Sequence, residues 1–417
     1  MNTRPGIQRL LLYSHDTYGL GHLRRNVLIS EDLLEHVPGL QVVLLSGSPV
    51  ATRCHLPRNL TLVPLPPVVK TGVDEYAARN PQLPFSVVRR ARTAIMADVA
   101  RRFEPDVFLV DHAPQGMKGE LLPVFDVLRR WSPATRIVLG LRDVVDDPAA
   151  VRHAWSEQDV AQTLLDVYDR VAVYGSRDLV DVGGYGIPDA TLARTTYCGY
   201  LCRQPASAAQ VPIEGWTPDM RFVLGTAGGG GDGIDVLRAT LAASERHGLP
   251  SLLVSGPLME RGERELLETE VRGSQAGHLE EFIPGLEGVM AAASVVVTMG
   301  GYNSLMEAVP SGTPTIVVPR VWPRREQAIR AELFANRGLV RLVAAGDALE
   351  DRLSAALSAA LEEPRRSAVP FDRLGLPRLR ELLLAEARVA QQGRIRHPLP
   401  IGVAAGAIPA AALPVPA

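Results

Sequence analysis

The chain has 417 residues, which predicts two or three domains at about 150 residues per domain. Hydrophobic residues make up 46% and charged residues 22%, a globular composition that excludes a disordered or fibrous protein. The 44 basic and 46 acidic residues give a net charge of -2, so no basic field favours a nucleic-acid partner.

The first half of the chain alternates short apolar runs with longer amphipathic ones, a pattern typical of parallel strands joined by helices. Strands are predicted at 10–14, 42–46, 60–63, 107–110, 137–141 and 171–174. Helices are predicted between them at 23–36, 85–103, 119–131 and 159–168. The proline-rich segment 64–84 is predicted as a long irregular loop, of the kind that often carries function.

An N-terminal domain is predicted at 1–205, followed by a Pro-, Ala-, Ser- and Gly-rich linker at 206–219. A C-terminal domain follows at 220–365, with strands at 222–224, 252–255, 294–298, 315–318 and 340–343. Its predicted helices are 234–247, 259–271, 303–310, 325–337 and 349–361. A helix at 374–390 closes the fold within 366–392, before an Ala/Pro tail at 393–417 that is predicted to be disordered.

The predicted fold class is α/β, with two doubly wound Rossmann-like domains that face each other across a cleft. Ligands of such sheets bind beyond the carboxyl ends of the strands. The loops that follow the strands are therefore the candidate functional segments.

The turn after the first strand carries Gly19, Gly21 and His22 at the start of a helix, where unpaired N–H groups favour an anion. His22 has the ordinary pKa of a base near neutrality, and Asp111, which ends another predicted strand, would face the same cleft and orient it. The alternatives are a capping or solvent-facing histidine and an aspartate that caps a turn. A nicotinamide-binding fingerprint is excluded because Arg24 stands where its third glycine belongs.

Arg142 and Asp143 follow the strand 137–141 in an equivalent place. Arg142 is a candidate anion clamp for the cleft. Asp143 is expected to be its partner.

Two glycine-rich loops in the second half each follow a strand and precede a helix. The first loop, 225–233, contains Gly228, Gly229 and Gly230, which would let a phosphate approach bare backbone N–H groups. A flexible turn is the alternative reading of so many glycines.

The second loop begins at Gly300 and Gly301 and continues through Asn303 and Ser304 into a predicted helix. A diphosphate can lie against its backbone at the helix N-terminus. Glu307 lies near enough for its carboxylate to accept both hydroxyls of a ribose. The alternative is a carboxylate that only favours the start of the helix.

These motifs carry a resemblance to a known family. The second half resembles the donor-binding domain of GT-B glycosyltransferases, most closely family 28, and the Gly19–His22 loop looks like the loop that opens the same enzymes. The matching segments are Phe282-Ile283-Pro284, Gly300-Gly301 through Glu307, Gly312-Thr313-Pro314, Val318-Pro319 and Glu326-Gln327.

The resemblance implies a role for each matching residue. The backbone at Phe282 and Ile283 would meet a uracil-type base, and Glu307 would bind the ribose. Gln327, with Glu326 beside it, would bind the sugar hydroxyls. The diphosphate would lie on Gly301 and Ser304 and on the loop 228–231.

The resemblance also has a departure and a consequence. Arg324 stands where related enzymes often have an acid, which puts the identity of the sugar in doubt. Enzymes of this kind use helix dipoles rather than a metal, so neither a metal nor another cofactor is expected, and the nucleotide sugar is a co-substrate.

The sequence therefore predicts a transferase that moves a hexose or N-acetylhexosamine from a nucleotide sugar, with UDP as the expected nucleotide, to an unknown hydroxyl acceptor with inversion. The acceptor could be a glycan, a lipid-linked compound or a small molecule, and the segment 64–84 could form its groove. The runner-up is a nucleotide-sugar hydrolase on the same scaffold, in which His22 activates water. A UDP-sugar 2-epimerase and a non-catalytic nucleotide-sugar sensor are further alternatives.

The cysteine content and the hydropathy of the sequence predict where in the cell the protein is located. Three cysteines predict reduced thiols rather than a disulfide framework, and they complete no set of four zinc ligands. No secretory signal and no apolar run of about 20 residues stands out. A cytoplasmic protein is predicted, with peripheral contact at the inner face of the membrane left open.

Overall fold

A computed structural model of the chain describes residues 7–16, 20–51, 55–72, 75–203, 213, 216–217, 219–322, 324–366 and 370–396. Gly19, most of the predicted linker 206–219 and the predicted tail beyond 396 lie outside these residues.

The strands are β1 Arg9–Ser14, β2 Gln41–Ser46, β3 Leu60–Pro64, β4 Val68–Gly72, β5 Glu75–Ala78, β6 Val107–Asp111, β7 Arg136–Arg142, β8 Arg170–Tyr174, β9 Thr195–Tyr197, β10 Val223–Thr226, β11 Ser251–Val254, β12 Gly277–Glu280, β13 Val295–Thr298, β14 Thr315–Val317 and β15 Arg341–Leu342.

The helices are α1 Gly21–His36, α2 Phe85–Phe103, α3 Leu122–Trp131, α4 Pro148–Glu157, α5 Val160–Asp166, α6 Asp189–Leu192, α7 Ile234–Arg246, α8 Arg261–Gly273, α9 Leu286–Ala292, α10 Tyr302–Ala308, α11 Glu326–Asn336, α12 Leu349–Glu362 and α13 Gly375–Arg396. Short 3-10 turns lie at Met117–Gly119, Val182–Tyr185 and Val309–Ser311.

The N-terminal domain is built on a parallel sheet with strand order β3-β2-β1-β6-β7-β8-β9. Its central strands are buried on both faces, which is why they read as unbroken apolar runs in the sequence. The chain leaves β1 toward β2 on one side and reaches β6 on the other. A crevice therefore opens at the carboxyl ends of β1 and β6.

The C-terminal domain repeats this plan with a parallel sheet of order β12-β11-β10-β13-β14-β15. The equivalent crevice lies between β10 and β13, and these are the strands that the two glycine-rich loops follow. The predicted pair of doubly wound α/β domains is confirmed.

The segment 64–84, predicted to be irregular, instead contains an antiparallel hairpin of β4 and β5. The hairpin packs on the start of α2 through a small apolar cluster that includes Val68, Ala78 and Val88. The ring of Tyr76 stacks on that of Phe85 with centroids 6.2 Å apart. The prolines on either side of the hairpin hide this pairing from a reading of the sequence.

The closing helix α13 returns to the N-terminal domain and packs on α1, β6 and β7. Leu379, Leu383 and Ala387 recur on its buried face. Glu386 accepts hydrogen bonds from Arg136 Nε and Arg170 Nε, each over 2.7 Å. The helix continues to residue 396, so the predicted end of the helical segment at 392 was too early.

Candidate active site

His22 in the first turn of α1 and Asp111 at the end of β6 meet in the N-terminal crevice. His22 Nδ1 lies 2.5 Å from Asp111 Oδ2 and 2.9 Å from Arg25 Nη2. Because the closer partner is a carboxylate, which only accepts, the proton is assigned to Nδ1. Nε2 therefore keeps its lone pair, and it has no hydrogen-bond partner among the described residues. This is the orientation that a general base requires.

Arg25 holds the other side of the same carboxylate. Its Nε and Nη2 donate to Asp111 Oδ1 over 3.0 and 2.9 Å, and Nη2 also lies 2.8 Å from Oδ2. Both side chains are 1% exposed. Burial alone would raise the pKa of Asp111, but Arg25 and His22 outweigh it and hold this pKa below its ordinary value. Asp111 is therefore an anion that can stabilise a His22 imidazolium.

Burial lowers the pKa of His22 below its ordinary value, because a dry site disfavours the charged ring. Asp111 partly offsets this effect, whereas Arg25 and Arg142 reinforce it. His22 is therefore neutral at neutral pH, which is the state that accepts a proton.

Two further histidines lie beside His22, and neither was predicted from the sequence to belong to the site. The rings of His15 and His112 lie 5.7 and 5.3 Å from the His22 ring, and both side chains are buried. His15 directly follows β1, so its place at the end of a central strand was a signal that could have found it.

The predicted pairing of Arg142 with Asp143 is wrong. Arg142 reaches across the cleft and binds Glu326 over 2.7 Å, with its Nη2 3.4 Å from His112 Nε2. Asp143 instead accepts from Arg330 at 2.9 and 3.0 Å, with both side chains fully buried. Neighbouring residues at the end of a strand point to opposite faces, so each finds a different partner.

The two glycine-rich loops of the C-terminal domain face each other. Gly228 and Gly230 adopt φ values of 63° and 97°, which favour glycine. A Cβ on Gly230 would lie 2.3 Å from the carbonyl oxygen of Ser255, and one on Gly228 would lie 3.6 Å from Ser304 Oγ. The close packing leaves backbone rather than side chains at the surface between the loops.

Glu307 makes an ion pair across the interface between the domains. Arg24 Nη2 on α1 donates to Glu307 Oε1 over 2.5 Å, while the buried Oε2 has no partner among the described residues. Burial raises the pKa of Glu307, and Arg24 opposes this shift. Glu307 does not itself line the central cavity, although Ser304 one turn earlier does.

The remaining predicted donor residues divide into two groups. Gln327 lines the cavity and its Oε1 accepts from the Arg320 backbone N–H over 3.2 Å. Phe282, Ile283 and Gly300 do not line it: Phe282 is 56% exposed, Ile283 is buried in the domain core, and Gly300 lies under the loop against Val317.

A cavity of about 490 Å³ joins the two crevices. The N-terminal domain contributes His15, Gly21, His22, Arg24, Arg25, Lys70, Thr71, Gly72, Tyr76, His112 and Arg142, among others. The C-terminal domain contributes Gly228, Gly229, Gly230, Gly231, Gly301, Asn303, Ser304, Arg320, Trp322, Arg324, Glu326 and Gln327, among others. The cavity therefore places the predicted base opposite the predicted phosphate loops.

Asn303 joins the two sides of the cavity directly, since its Nδ2 donates to the Gly21 backbone carbonyl over 2.9 Å.

Within the described ranges, no three or more His, Cys, Asp and Glu side chains are grouped so as to hold a metal ion. None of the helices described is long and apolar enough to cross a membrane.

A domain family matches the C-terminal part of the chain. Residues 257–372 match the glycosyltransferase family 28 C-terminal domain. No curated protein matches the chain.

Several solved structures share the fold over nearly the whole chain. The glycosyltransferase of kitacinnamycin is 19% identical over 95% of this chain and 100% of its own, with a TM-score of 0.56. UGT2 of Phytolacca americana, solved with UDP-2-fluoro-glucose and pterostilbene, is 14% identical over 93% of this chain and 94% of its own, with a TM-score of 0.55. MurG of Acinetobacter baumannii is 12% identical over 92% of this chain and 95% of its own, with a TM-score of 0.51.

The two parallel-sheet domains have the GT-B arrangement of these structures, and the domain match falls on the half that carries the second glycine-rich loop. The chain thus has the GT-B fold, and its C-terminal domain is similar to the glycosyltransferase family 28 C-terminal domain.

Proposed function

We propose that this chain transfers a hexose or N-acetylhexosamine from a UDP-sugar to a hydroxyl acceptor with inversion and without a metal ion. The observation that carries this function is the His22–Asp111 pair, which faces the loops 228–231 and 301–304 across one cavity. A base and an anion site on opposite walls are what a displacement at a sugar carbon needs.

In this reaction His22 Nε2 takes the proton of the acceptor hydroxyl while the oxygen attacks the anomeric carbon. The bond from that carbon to the diphosphate oxygen breaks, and its electron pair leaves with the nucleoside diphosphate. Backbone N–H groups of the glycine-rich loops stabilise the departing charge. Asp111 stabilises the imidazolium that forms.

The donor is held, in this proposal, by residues of the C-terminal domain. Glu307 binds the ribose, Gln327 and Glu326 bind the sugar hydroxyls, and the backbone at Phe282 and Ile283 meets the base. Glu326 is also bound to Arg142, so a sugar hydroxyl that reaches this carboxylate shares it with a guanidinium. The predicted cytoplasmic location, with contact at the membrane surface, stays a prediction.

The experiment is a donor screen with the purified chain. Release of nucleoside diphosphate from UDP-, GDP- and dTDP-sugars is followed with and without an acceptor extract, alongside the His22→Ala variant. Release that depends on both the extract and His22 supports the transferase. Equal release without any acceptor identifies a hydrolase, and tight donor binding with no release identifies a sensor.

A further inference from the structure

His15 ends a buried hydrogen-bonded chain that the reaction above does not use. Its Nδ1 lies 3.2 Å from the hydroxyl of Tyr13, and that hydroxyl lies 2.8 Å from Glu120 Oε1. Arg92 donates to both oxygens of Glu120, from Nε over 2.7 Å and from Nη2 over 2.8 Å. All four side chains are buried in the N-terminal domain.

The donors and acceptors along this row of hydrogen bonds determine which nitrogen of His15 carries the proton. Glu120 accepts from Arg92, so the single proton of the Tyr13 hydroxyl is donated to Glu120. Burial raises the pKa of Tyr13 well above its ordinary value, which keeps that proton in place. The phenol oxygen also accepts from the Met117 backbone N–H over 3.3 Å, and toward His15 it can likewise only accept, so Nδ1 is the protonated nitrogen of His15.

The other nitrogen of His15 is therefore an acceptor. Burial lowers the pKa of the ring well below its ordinary value, so the imidazole is neutral. Nε2 has no hydrogen-bond partner among the described residues, and His15 lines the cavity next to His22. The two rings are edge to face at 5.7 Å, and each carries its proton on Nδ1 and a lone pair on Nε2.

We propose that His15 selects the acceptor: it accepts a hydrogen bond from a second hydroxyl of a polyol whose neighbouring hydroxyl donates to His22. This role rests on the proposed function. Two neutral imidazole acceptors side by side are satisfied by two adjacent hydroxyl donors, whereas a monohydroxyl compound leaves one of them unpaired. Tyr76 and Trp322 also line the cavity, and aromatic side chains supply apolar contact area for the C–H face of a sugar ring.

The protonation of His15 is testable in the full chain without any substrate. Two-bond ¹H–¹⁵N spectra of ¹⁵N-histidine-labelled protein at neutral pH should show His15 protonated on Nδ1 alone, with His15→Leu to assign the signal. Tyr13→Phe removes the acceptor for that proton and should shift His15 toward the other tautomer. A proton on Nε2 of the wild-type ring overturns the assignment.

Selectivity is tested with methyl β-D-glucopyranoside and its four monodeoxy analogues as acceptor probes. For the wild type, removing the hydroxyl next to the nucleophile should lower kcat/KM about tenfold. His15→Leu should lower kcat/KM for the parent to the level of that analogue, so that their ratio falls to about one. His153→Leu, an exposed histidine with a 78% exposed side chain, should keep the wild-type ratio.

If the ratio of kcat/KM for the parent to kcat/KM for the analogue is the same in His15→Leu and in the wild type, the selective role is overturned. Transfer to an acceptor from the extract, with no transfer to any of the pyranosides, overturns it as well. No nucleotide release under any condition overturns the proposed function instead. In that case the spectra still decide whether His15 offers a lone pair to the cavity.

Discussion

At the scale of single residues, the chemistry depends on one carboxylate with two neighbours. Asp111 is shared between His22 at 2.5 Å and the forked guanidinium of Arg25. Because Arg25 compensates the buried charge, Asp111 can remain ionised and fix the His22 tautomer without protonating the ring. Loss of any one member leaves a buried group without its partner.

Replacement of His22 by alanine should lower kcat at least about 100-fold, because general-base assistance contributes about 10²–10⁴-fold. The dissociation constant of the nucleoside diphosphate should change less than about twofold, since His22 lies on the opposite wall from the phosphate loops. Turnover kinetics and calorimetric titration measure the two effects. Weakened binding with intact turnover would make His22 a binding residue.

The pH dependence follows from the lowered pKa of His22. The neutral ring is the active form, so kcat/KM should hold through neutral pH and fall only below about 6.5, the ordinary pKa of histidine. Asp111 raises the pKa of His22, so Asp111→Asn should move this acidic limb to still lower pH while lowering the maximal rate. A limb that moves upward in Asp111→Asn contradicts the assignment, and circular dichroism controls for folding.

The residue scale also shows what a sequence can supply. The sequence was enough to predict that His22 and Asp111 lie close together, because each follows a predicted strand and both strands end at the same edge of the sheet. Arg25 had no such signal, since its role depends on how α1 rotates above Asp111. The Arg142–Asp143 pair was predicted wrongly for the same reason. The sequence shows only that the two residues are adjacent, whereas their partners in the structure, Glu326 and Arg330, lie on α11.

At the scale of elements, the contact between α1 and α10 bears on donor binding. Arg24 occupies one oxygen of Glu307, the carboxylate that the resemblance assigns to the ribose. The second oxygen is buried and unpaired among the described residues, so the carboxylate has capacity for another donor. Two single variants distinguish the two possible roles of Glu307, as a ligand of the ribose or only as the ion-pair partner of Arg24.

Glu307→Ala should raise the donor KM about tenfold or more, because two ribose hydroxyls lose a charged acceptor. Arg24→Ala leaves that acceptor in place and should leave the donor KM unchanged or lower it. Steady-state kinetics with varied donor measures both. An equal rise in the two variants would assign Glu307 to the interdomain ion pair alone.

The central strands, which are buried on both faces, and the long amphipathic helix α2 were predicted well from the sequence. The prediction for α2 matches its limits, and the central strands agree within one or two residues. β12 and the β4–β5 hairpin were not predicted, because their exposed and half-buried residues show no unbroken apolar run.

At the scale of the whole molecule, buried charge holds the two domains together. Asp143 of the N-terminal domain and Arg330 of the C-terminal domain are both fully buried, and the guanidinium also lies 5.7 Å from the ring of Tyr302. Arg25 approaches the same ring from the N-terminal domain, at 5.6 Å. Tyr302 thus connects the domain contact with the residue that holds Asp111.

Asp143→Asn should lower the free energy of unfolding by about 3–5 kcal/mol, because Arg330 keeps its charge in a buried site without an ionised partner. Asp178→Asn removes a comparable interdomain pair with Arg337 that is exposed, and should cost less than about 1 kcal/mol. Urea denaturation measures both. Equal small effects would show that water reaches Arg330.

A structure of the chain with bound UDP is the decisive measurement. The diphosphate should lie against the backbone of 228–231 and 301–304, the ribose within hydrogen-bond distance of Glu307, and His22 Nε2 should face the terminal phosphate across the cavity. A nucleotide bound elsewhere, or a His22 ring closed off from the terminal phosphate, would contradict the proposed function.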